Sequence, residues 1–147
     1  MMGDFVSYKL TGADALSAKF RELPEQLRAK VALPAAKDAM AIVLSDAKDR
    51  ASRLDDPETS NFLPKNIALV ERKKLGEELG AVIVSVGVRK TKFGQRGGNT
   101  FYWWWVELGT EHSRAQPFLR NSLSLNRMAV FKEFLSSAKY QLIKLGD

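Results

Sequence analysis

The sequence predicts a small α+β protein, in which a mostly antiparallel sheet of about four strands packs against a long kinked N-terminal helix and a C-terminal helix. Two long stretches repeat apolar residues at three- and four-residue spacing, which is typical of helices with one face in the core. Several short stretches alternate apolar and polar residues or are rich in valine and aromatic residues, as strands are. A chain of 147 residues with 45% hydrophobic residues suits a single domain with one core.

The N-terminal third is expected to hold one strand and two helices. Residues 5–10 alternate apolar side chains and predict the first strand. Thr11 and Asp14 have the spacing of a capping box, which predicts a helix start. Pro24 should end that short helix and begin a longer one, and Pro34 should kink the second helix. The apolar stripe of the long helix comprises Ala36, Met40, Val43, Ala47, Ala51 and Leu54.

The rest of the chain alternates loops and strands before a last helix. Residues 55–64 are rich in Asp, Pro, Ser and Asn and predict a connecting loop. Residues 67–74 and 81–88 predict two strands joined by a turn at residues 75–80, which holds two glycines. A further strand opens at Phe101. The final helix follows Pro117 and has these apolar positions: Leu119, Leu123, Phe131, Phe134, Leu135, Ala138, Leu142 and Leu145.

Composition argues against several protein classes. No run of about 18 apolar residues is present, and residues 1–10 lack the pattern of a signal peptide, so no membrane association is expected. The chain has no cysteine and one histidine, which predicts no disulfide, no metal site and no cofactor. The formal charge of +6 and the pI near 9.7 favour an anionic neighbour, although ordinary solubility charge explains them equally well.

No residue pattern predicts catalysis. The glycines around Gly94 are not followed by the Gly-Lys-Ser/Thr of a phosphate-binding loop, so they indicate a mobile loop. Glu107, Glu111 and His112 are residue types that can act as an acid and a base, but no motif places a nucleophile beside them. The acidic group at residues 55–58 lacks the spacing of a calcium loop.

The aromatic run at residues 101–106 is the unusual feature of the sequence. An alternating strand of this composition has no polar face, so both of its faces must be shielded from water. The two faces are Tyr102, Trp104, Val106 and Leu108 on one side, and Phe101, Trp103, Trp105 and Glu107 on the other. The first set is assigned to the core. The second set is covered by the chain itself, by another subunit or, less favourably, by stacked single-stranded nucleic acid.

Residues 102–123, YWWWVELGTEHSRAQPFLRNSL, resemble the signature of siphophage tail-completion proteins, the gene-ten-like phage proteins. That signature is an aromatic-Val-Glu-aromatic-Gly-Thr strand end that leads to a Pro-Phe-Leu-Arg helix start. The matching residues are Val106, Glu107, Gly109 and Thr110, then Gln116, Pro117, Phe118, Leu119 and Arg120. Leu108 replaces the second aromatic. A second family motif, expected at residues 57–63, keeps only Pro57 and Leu63, and Asn61 stands where the family has glycine.

The resemblance implies one tail-completion (neck) domain across residues 1–147, in a structural virion protein that is not an enzyme. Such a protein is made in the host cytoplasm and forms a ring, expected as a hexamer, at the head-proximal end of the tail. Its expected partners are the tail terminator, a head-closure or connector protein and the tail tube protein. The alternative function is a basic module that binds double-stranded DNA.

Residue roles follow from this assignment. Gly109 should form a tight turn, Thr110 or Ser113 a local backbone bond, and Pro117 with Phe118 the helix start. The expected subunit interface comprises Phe101, Trp103, Trp105, Glu107 and Arg120, where Glu107 and Arg120 pair across the turn or bridge to the next subunit. A basic loop with Arg89, Lys90, Lys92 and Arg96 faces either the DNA lumen or an acidic neighbouring ring.

Overall fold

Seven helices and two strands make up the part of the chain that the computed structural model describes, residues 13–54, 63–89 and 102–146. In chain order they are α1 (Ala13–Glu22), α2 (Glu25–Leu54), α3 (Leu63–Asn66), β1 (Ile67–Glu71), α4 (Lys73–Leu79), β2 (Val84–Val88), α5 (Trp103–Leu108), α6 (Leu119–Leu125) and α7 (Arg127–Leu145). Within these ranges, no helix is long and apolar enough to span a membrane. The described part of the chain is mostly helical, with one small sheet.

Helices α1 and α2 meet at Pro24, as the sequence predicted. Leu27 and Arg28 donate their backbone N–H groups to the carbonyl of Pro24, which starts α2. The side chain of Arg28 reaches back and donates hydrogen bonds to the carbonyls of Leu23 and Arg21, both at 2.9 Å. These carbonyls lie at the end of α1, where intrahelical donors are missing. Arg28 thereby fixes the joint between the two helices.

The long helix α2 is the axis of the fold. Its 30 residues span about 45 Å at 1.5 Å per residue. The helix continues through Pro34, and a kink there stays a prediction. Its buried residues recur at every fourth position and are all small: Val31, Ala35, Ala39, Val43, Ala47 and Ala51. Val43, Ala47 and Ala51 of the predicted stripe are therefore buried as expected, whereas at its N-terminal end Ala35 and Ala39 are buried in place of Ala36 and Met40.

Helix α7 packs antiparallel to α2. Ser137 donates to Asp38 at 2.6 Å, and Asn126, just before α7, donates to Asp46 at 2.7 Å. Towards the first turns of α2, a core cluster joins Leu16 of α1 and Ala138 of α7 to the α2 stripe. The C-terminal end of α7 therefore lies beside the N-terminal end of α2.

A second core cluster lies at the other end of α2. It joins Ala47 and Ala51 to Leu63, Ile67 and Phe118, all of which are buried. The two strands are antiparallel, with Ile67 opposite Val88 and Leu69 opposite Val86. Ile67, Val86 and Val88 share the face that contacts this cluster. The sheet, α3, α5 and α6 thus gather around the C-terminal half of α2.

Several predicted elements differ from the observed ones. The described ranges contain two strands and not about four, and the first strand, at residues 5–10, lies outside them. The strand predicted at residues 67–74 ends at Glu71, and the turn predicted at residues 75–80 is helix α4. The last helix is divided at Asn126, whose side chain donates to the carbonyl of Ser122 as well as to Asp46. Of its predicted core positions, Leu123, Phe131 and Leu145 are exposed.

Candidate functional site

The aromatic run forms a helix, so the strand predicted from Phe101 is wrong for the residues that the structure describes. Helix α5 covers Trp103–Leu108, and Phe101 lies outside the described ranges. A helix brings residues three and four apart to one face, whereas a strand brings together every second residue. The residues predicted to share the core face, and those predicted to share the interface face, therefore do not share faces in the structure.

The inner face of α5 holds Trp103, Val106 and Glu107. Trp103 and Val106 pack against the core cluster around Phe118, and Glu107 is 4% exposed. The assignment of Trp104 and Leu108 to the core is thus wrong. Trp103, expected at a subunit interface, contacts the protein's own core.

The outer face of α5 consists of large apolar side chains. Trp104, Trp105 and Leu108 are 56%, 53% and 54% exposed, and we call these three residues the α5 surface. Trp104 also stacks on Trp103, with ring centroids 4.6 Å apart and planes inclined by 25°. The Trp103 ring on which Trp104 stacks also contacts the core cluster.

Glu107 binds the start of helix α6 with both carboxylate oxygens. Oε2 accepts hydrogen bonds from the backbone N–H groups of Phe118 (2.8 Å) and Leu119 (3.0 Å). Oε1 accepts from the backbone N–H of Arg120 at 3.0 Å. Such N–H groups have no acceptor within their own helix, and the helix dipole favours a negative charge beside them. A buried carboxylate of α5 therefore caps α6.

Arg120 completes a reciprocal contact with α5. Its Nε donates to Oε1 of Glu107 at 3.1 Å, and its terminal nitrogen donates to the main-chain carbonyl of Glu107 at 2.7 Å. The carboxylate of Glu107 is shielded while the Arg120 side chain stays 59% exposed. Of the two predicted pairings, the structure shows the one across the turn within a single chain. We call the contacts between Glu107 and residues 118–120 the α5–α6 clamp.

Gly109 makes the tight turn that the clamp requires. Its φ of 78° and ψ of 171° lie in a region that essentially only glycine occupies. A Cβ atom at this position would lie 2.7 Å from the backbone nitrogen of Ala115. The chain then returns so that Gln116 donates its backbone N–H to the carbonyl of Val106 at 2.8 Å. The predicted turn at Gly109 thus allows two stretches of backbone to approach closely.

Thr110 organises the loop after this turn. Its hydroxyl oxygen accepts hydrogen bonds from the backbone N–H groups of His112 (3.2 Å) and Ser113 (3.0 Å), and its own N–H donates to the carbonyl of Ser113. Of the two residues expected to make a local backbone bond, Thr110 and Ser113, it is Thr110 whose side chain does so. Pro117 is half-buried, two residues before α6, and Phe118 is 1% exposed in the core cluster.

We expect Thr110→Val to lower the free energy of unfolding by about 1 kcal/mol, since two backbone donors lose their acceptor and the loop remains open to water. Thr110→Ser keeps the oxygen and should stay close to the parent protein. Urea denaturation followed by circular dichroism measures both changes. A Thr110→Val protein as stable as the parent protein would show that the hydroxyl oxygen does not stabilise the loop.

The predicted basic loop is described only at its first residue. Arg89 is exposed and donates its backbone N–H to the carbonyl of Asn66, which extends the pairing of the two strands. Lys90, Lys92 and Arg96 lie outside the described residues. The role of this loop at DNA or at a neighbouring ring stays a prediction.

The site has the chemistry of a binding surface. The carboxylate of Glu107 is occupied by the clamp, and Glu111 and His112 are exposed beside the loop. Among the described residues, no group of three or more His, Cys, Asp or Glu side chains could hold a metal ion. The exposed side chains of α5 are suited to burial against another protein surface.

Sequence reasoning missed the exposure of Trp104 and Leu108 because it used the two-residue period of a strand. Val106 and Glu107 lie three and four residues after Trp103, and Leu108 lies four residues after Trp104 and three after Trp105. This helical spacing in the sequence could have indicated which side chains of the aromatic run share a face.

Comparison with known proteins places the chain in a phage family. A family model described as "Bacteriophage HK97-gp10, putative tail-component" matches residues 14–109, which is more than half of the chain. The match includes Glu107 and the α5 surface and ends at Gly109. No curated protein and no solved structure matches the chain. As the resemblance of residues 102–123 predicted, the chain belongs to the HK97-gp10-like family of bacteriophage tail components.

Proposed function

We propose that this protein is a non-enzymatic structural subunit of a siphophage virion, which forms a ring at the head-proximal end of the tail and takes part in tail completion and head–tail joining. Membership of the HK97-gp10-like family supports the coarser part of this proposal, a structural role in the tail. The finer part rests on the resemblance of residues 102–123 to tail-completion proteins. Its partners are the tail terminator, a head-closure or connector protein and the tail tube protein.

The observation that carries the proposal is the α5 surface. Every exposed side chain of α5 is large and apolar, although a helix at a monomer's surface normally turns polar residues to water. The α5–α6 clamp and the turn at Gly109 hold this helix in place, so the surface is rigid before assembly. A preorganised aromatic surface loses little conformational entropy on binding, which favours a permanent subunit contact.

Electron microscopy of particles from a phage or prophage with a nonsense mutation in this gene tests the proposal. We expect full heads that are separate from tails, and tails that are unattached or defective. Normal infectious virions would contradict a structural role. They would favour the DNA-binding module instead, which predicts binding of double-stranded DNA that falls steeply with salt concentration.

We expect Trp105→Ala to impair assembly more than folding. A buried tryptophan at an interface contributes about 2 kcal/mol or more to binding, but in the free subunit about half of this side chain is already exposed to water. The variant should therefore complement the nonsense mutant poorly, while its melting temperature changes little. The measurements are the fraction of joined particles by electron microscopy and thermal denaturation by circular dichroism.

Trp103→Ala is the matched control, since it removes the same side chain from the inner face of α5. It should lower the free energy of unfolding by about 2 kcal/mol or more, because Trp103 packs against the core cluster. A Trp105→Ala protein that melts as early as Trp103→Ala but still joins heads to tails would refute the interface.

A further inference from the structure

A second exposed apolar surface lies on the last turns of α7. Tyr140 and Ile143 are 63% and 68% exposed and lie three residues apart, so they share one face of the helix. Lys139 and Lys144 flank them and are also exposed. We call these four residues the α7 surface. Neither lysine forms a salt bridge with another described residue.

The α5 and α7 surfaces lie towards opposite ends of α2. Trp103 and Val106 anchor α5 to the core cluster around Ala47 and Ala51. The C-terminal part of α7 packs in the other cluster, with Val31 and Ala35. The centres of these two regions are separated by about 16 residues of helix, or about 24 Å at 1.5 Å per residue. The two surfaces of one chain therefore cannot cover each other.

A closed ring needs two different surfaces on each subunit. Each subunit in a cyclic assembly of three or more copies uses one surface towards the subunit ahead and another towards the subunit behind. A twofold contact instead pairs one surface with itself. Two apolar surfaces at separate ends of the subunit match the first arrangement.

The chemistry of the two surfaces is complementary. The α5 surface presents indole rings and no charge, whereas the α7 surface presents apolar groups flanked by two ammonium groups. Lysine ammonium groups bind favourably over indole rings, and the aliphatic part of a lysine side chain covers apolar surface. Pairing two α7 surfaces would instead bring four positive charges together, which costs free energy at short range.

We propose that the α5 surface of one subunit docks on the α7 surface of the next, so that the occupant of each surface is a second copy of this chain. Trp104, Trp105 and Leu108 pack on Tyr140 and Ile143 of the neighbour. Lys139 and Lys144 of that neighbour lie over the indole rings. This inference rests on the proposed ring, and it specifies the contact from which the ring is built.

Disulfide cross-linking in assembled particles tests the contact. The chain has no cysteine, so Leu108→Cys and Ile143→Cys each introduce a single thiol, one per surface. Both variants are supplied together, with distinguishable tags, to the nonsense mutant, and the particles are oxidised. Non-reducing electrophoresis should show a dimer with one chain of each kind, and neither variant should form a dimer when it is supplied alone. Tyr140→Cys provides a second position on the α7 surface.

Three results separate the contact from its alternatives. A dimer formed by Leu108→Cys alone would show that two α5 surfaces pair, which overturns the proposal. The absence of any cross-link with either α7 position, in particles with joined heads and tails, would overturn it too while leaving the proposed function intact. Normal virions from the uncomplemented nonsense mutant would instead refute the proposed function.

Charge reversal tests the role of the lysines. Lys139→Glu with Lys144→Glu, added to the Ile143→Cys chain, should lower the yield of the mixed dimer about tenfold, since two cation–π contacts are lost. Lys37→Glu with Lys48→Glu makes the same charge change at exposed positions of α2 and is the matched control. An equal decrease with both pairs would show that net charge, and not the α7 surface, governs assembly.

Discussion

Replacing Glu107 by alanine should lower the free energy of unfolding by about 3 kcal/mol, a large effect for a single substitution. The change removes the acceptor of three backbone N–H groups at the start of α6. One of these belongs to Phe118, which is buried in the core, so water cannot readily replace the carboxylate there. Thermal denaturation should show a melting temperature about 10 °C lower, at about 2–4 °C per kcal/mol for a protein of this size.

Glu107→Gln and Glu111→Ala are informative controls for this substitution. Glutamine keeps the shape but has one acceptor oxygen, and its NH2 group would face N–H donors, so this variant should also be destabilised. Glu111 is exposed, and its loss should change the free energy of unfolding by less than about 0.5 kcal/mol. If Glu107→Ala were as stable as Glu111→Ala, the clamp would not stabilise the fold.

Gly109→Ala should destabilise the protein by about 3 kcal/mol or more. The backbone conformation alone costs about 1–3 kcal/mol for a residue with a side chain. The added methyl group would also meet the backbone nitrogen of Ala115 at 2.7 Å and the carbonyl oxygen of Ser113 at 3.1 Å, and backbone atoms cannot rotate away as a flexible side chain can. The turn would have to open, which moves Gln116 away from Val106.

Gly80 offers a matched comparison, because it also has a positive φ (64°) but no atom lies within 4 Å of the position that a Cβ atom would take. Gly80→Ala should cost about 1 kcal/mol, the penalty of the left-handed conformation without a collision. Urea denaturation of both variants gives the comparison. Similar losses of unfolding free energy in the two variants would mean that the contact with Ala115 relaxes easily. Close packing would then not be the reason why residue 109 is a glycine.

Local signals predicted the N-terminal helices well. Pro24 is compatible with a helix start and incompatible with a helix interior, and the structure places the boundary between α1 and α2 there. The turn predicted at residues 75–80 failed because Gly76 lies inside α4, where the carbonyl oxygen of Ala81 would be 2.5 Å from a Cβ atom. The close approach of Ala81 explains why residue 76 is a glycine, whereas the sequence alone suggested a turn there.

The aromatic run was assigned to a strand because tryptophan and tyrosine are frequent in strands. That preference reflects how well side chains fit a half-buried surface, and tertiary contacts can override it. Here the burial of Trp103 and the capping of α6 by Glu107 favour a helix. The partner of a buried carboxylate lies on another element, so only the fold could decide whether Glu107 and Arg120 pair within one chain or between two.

The signature residues were located from the sequence, but their physical roles were only partly predicted. The structure shows a turn at Gly109 and local hydrogen bonds to the Thr110 hydroxyl oxygen. The sequence predicted Trp103 on the interface face, whereas the structure exposes Trp104 and Leu108. The faces differ because the segment is a helix and not a strand. The α7 surface had no local signal, since Tyr140 and Ile143 look like ordinary apolar positions of an amphipathic helix until the packing of α7 on α2 is known.

Labelling the protein within purified virions would locate it in the assembled particle. A small surface tag, bound by gold particles, would be located by electron microscopy of joined particles and of free tails. We predict that gold lies at the junction of head and tail, and at one end of each free tail. Gold along the tail tube or at the distal tip would contradict a place at the head-proximal end, and virions without the protein would contradict a structural role altogether.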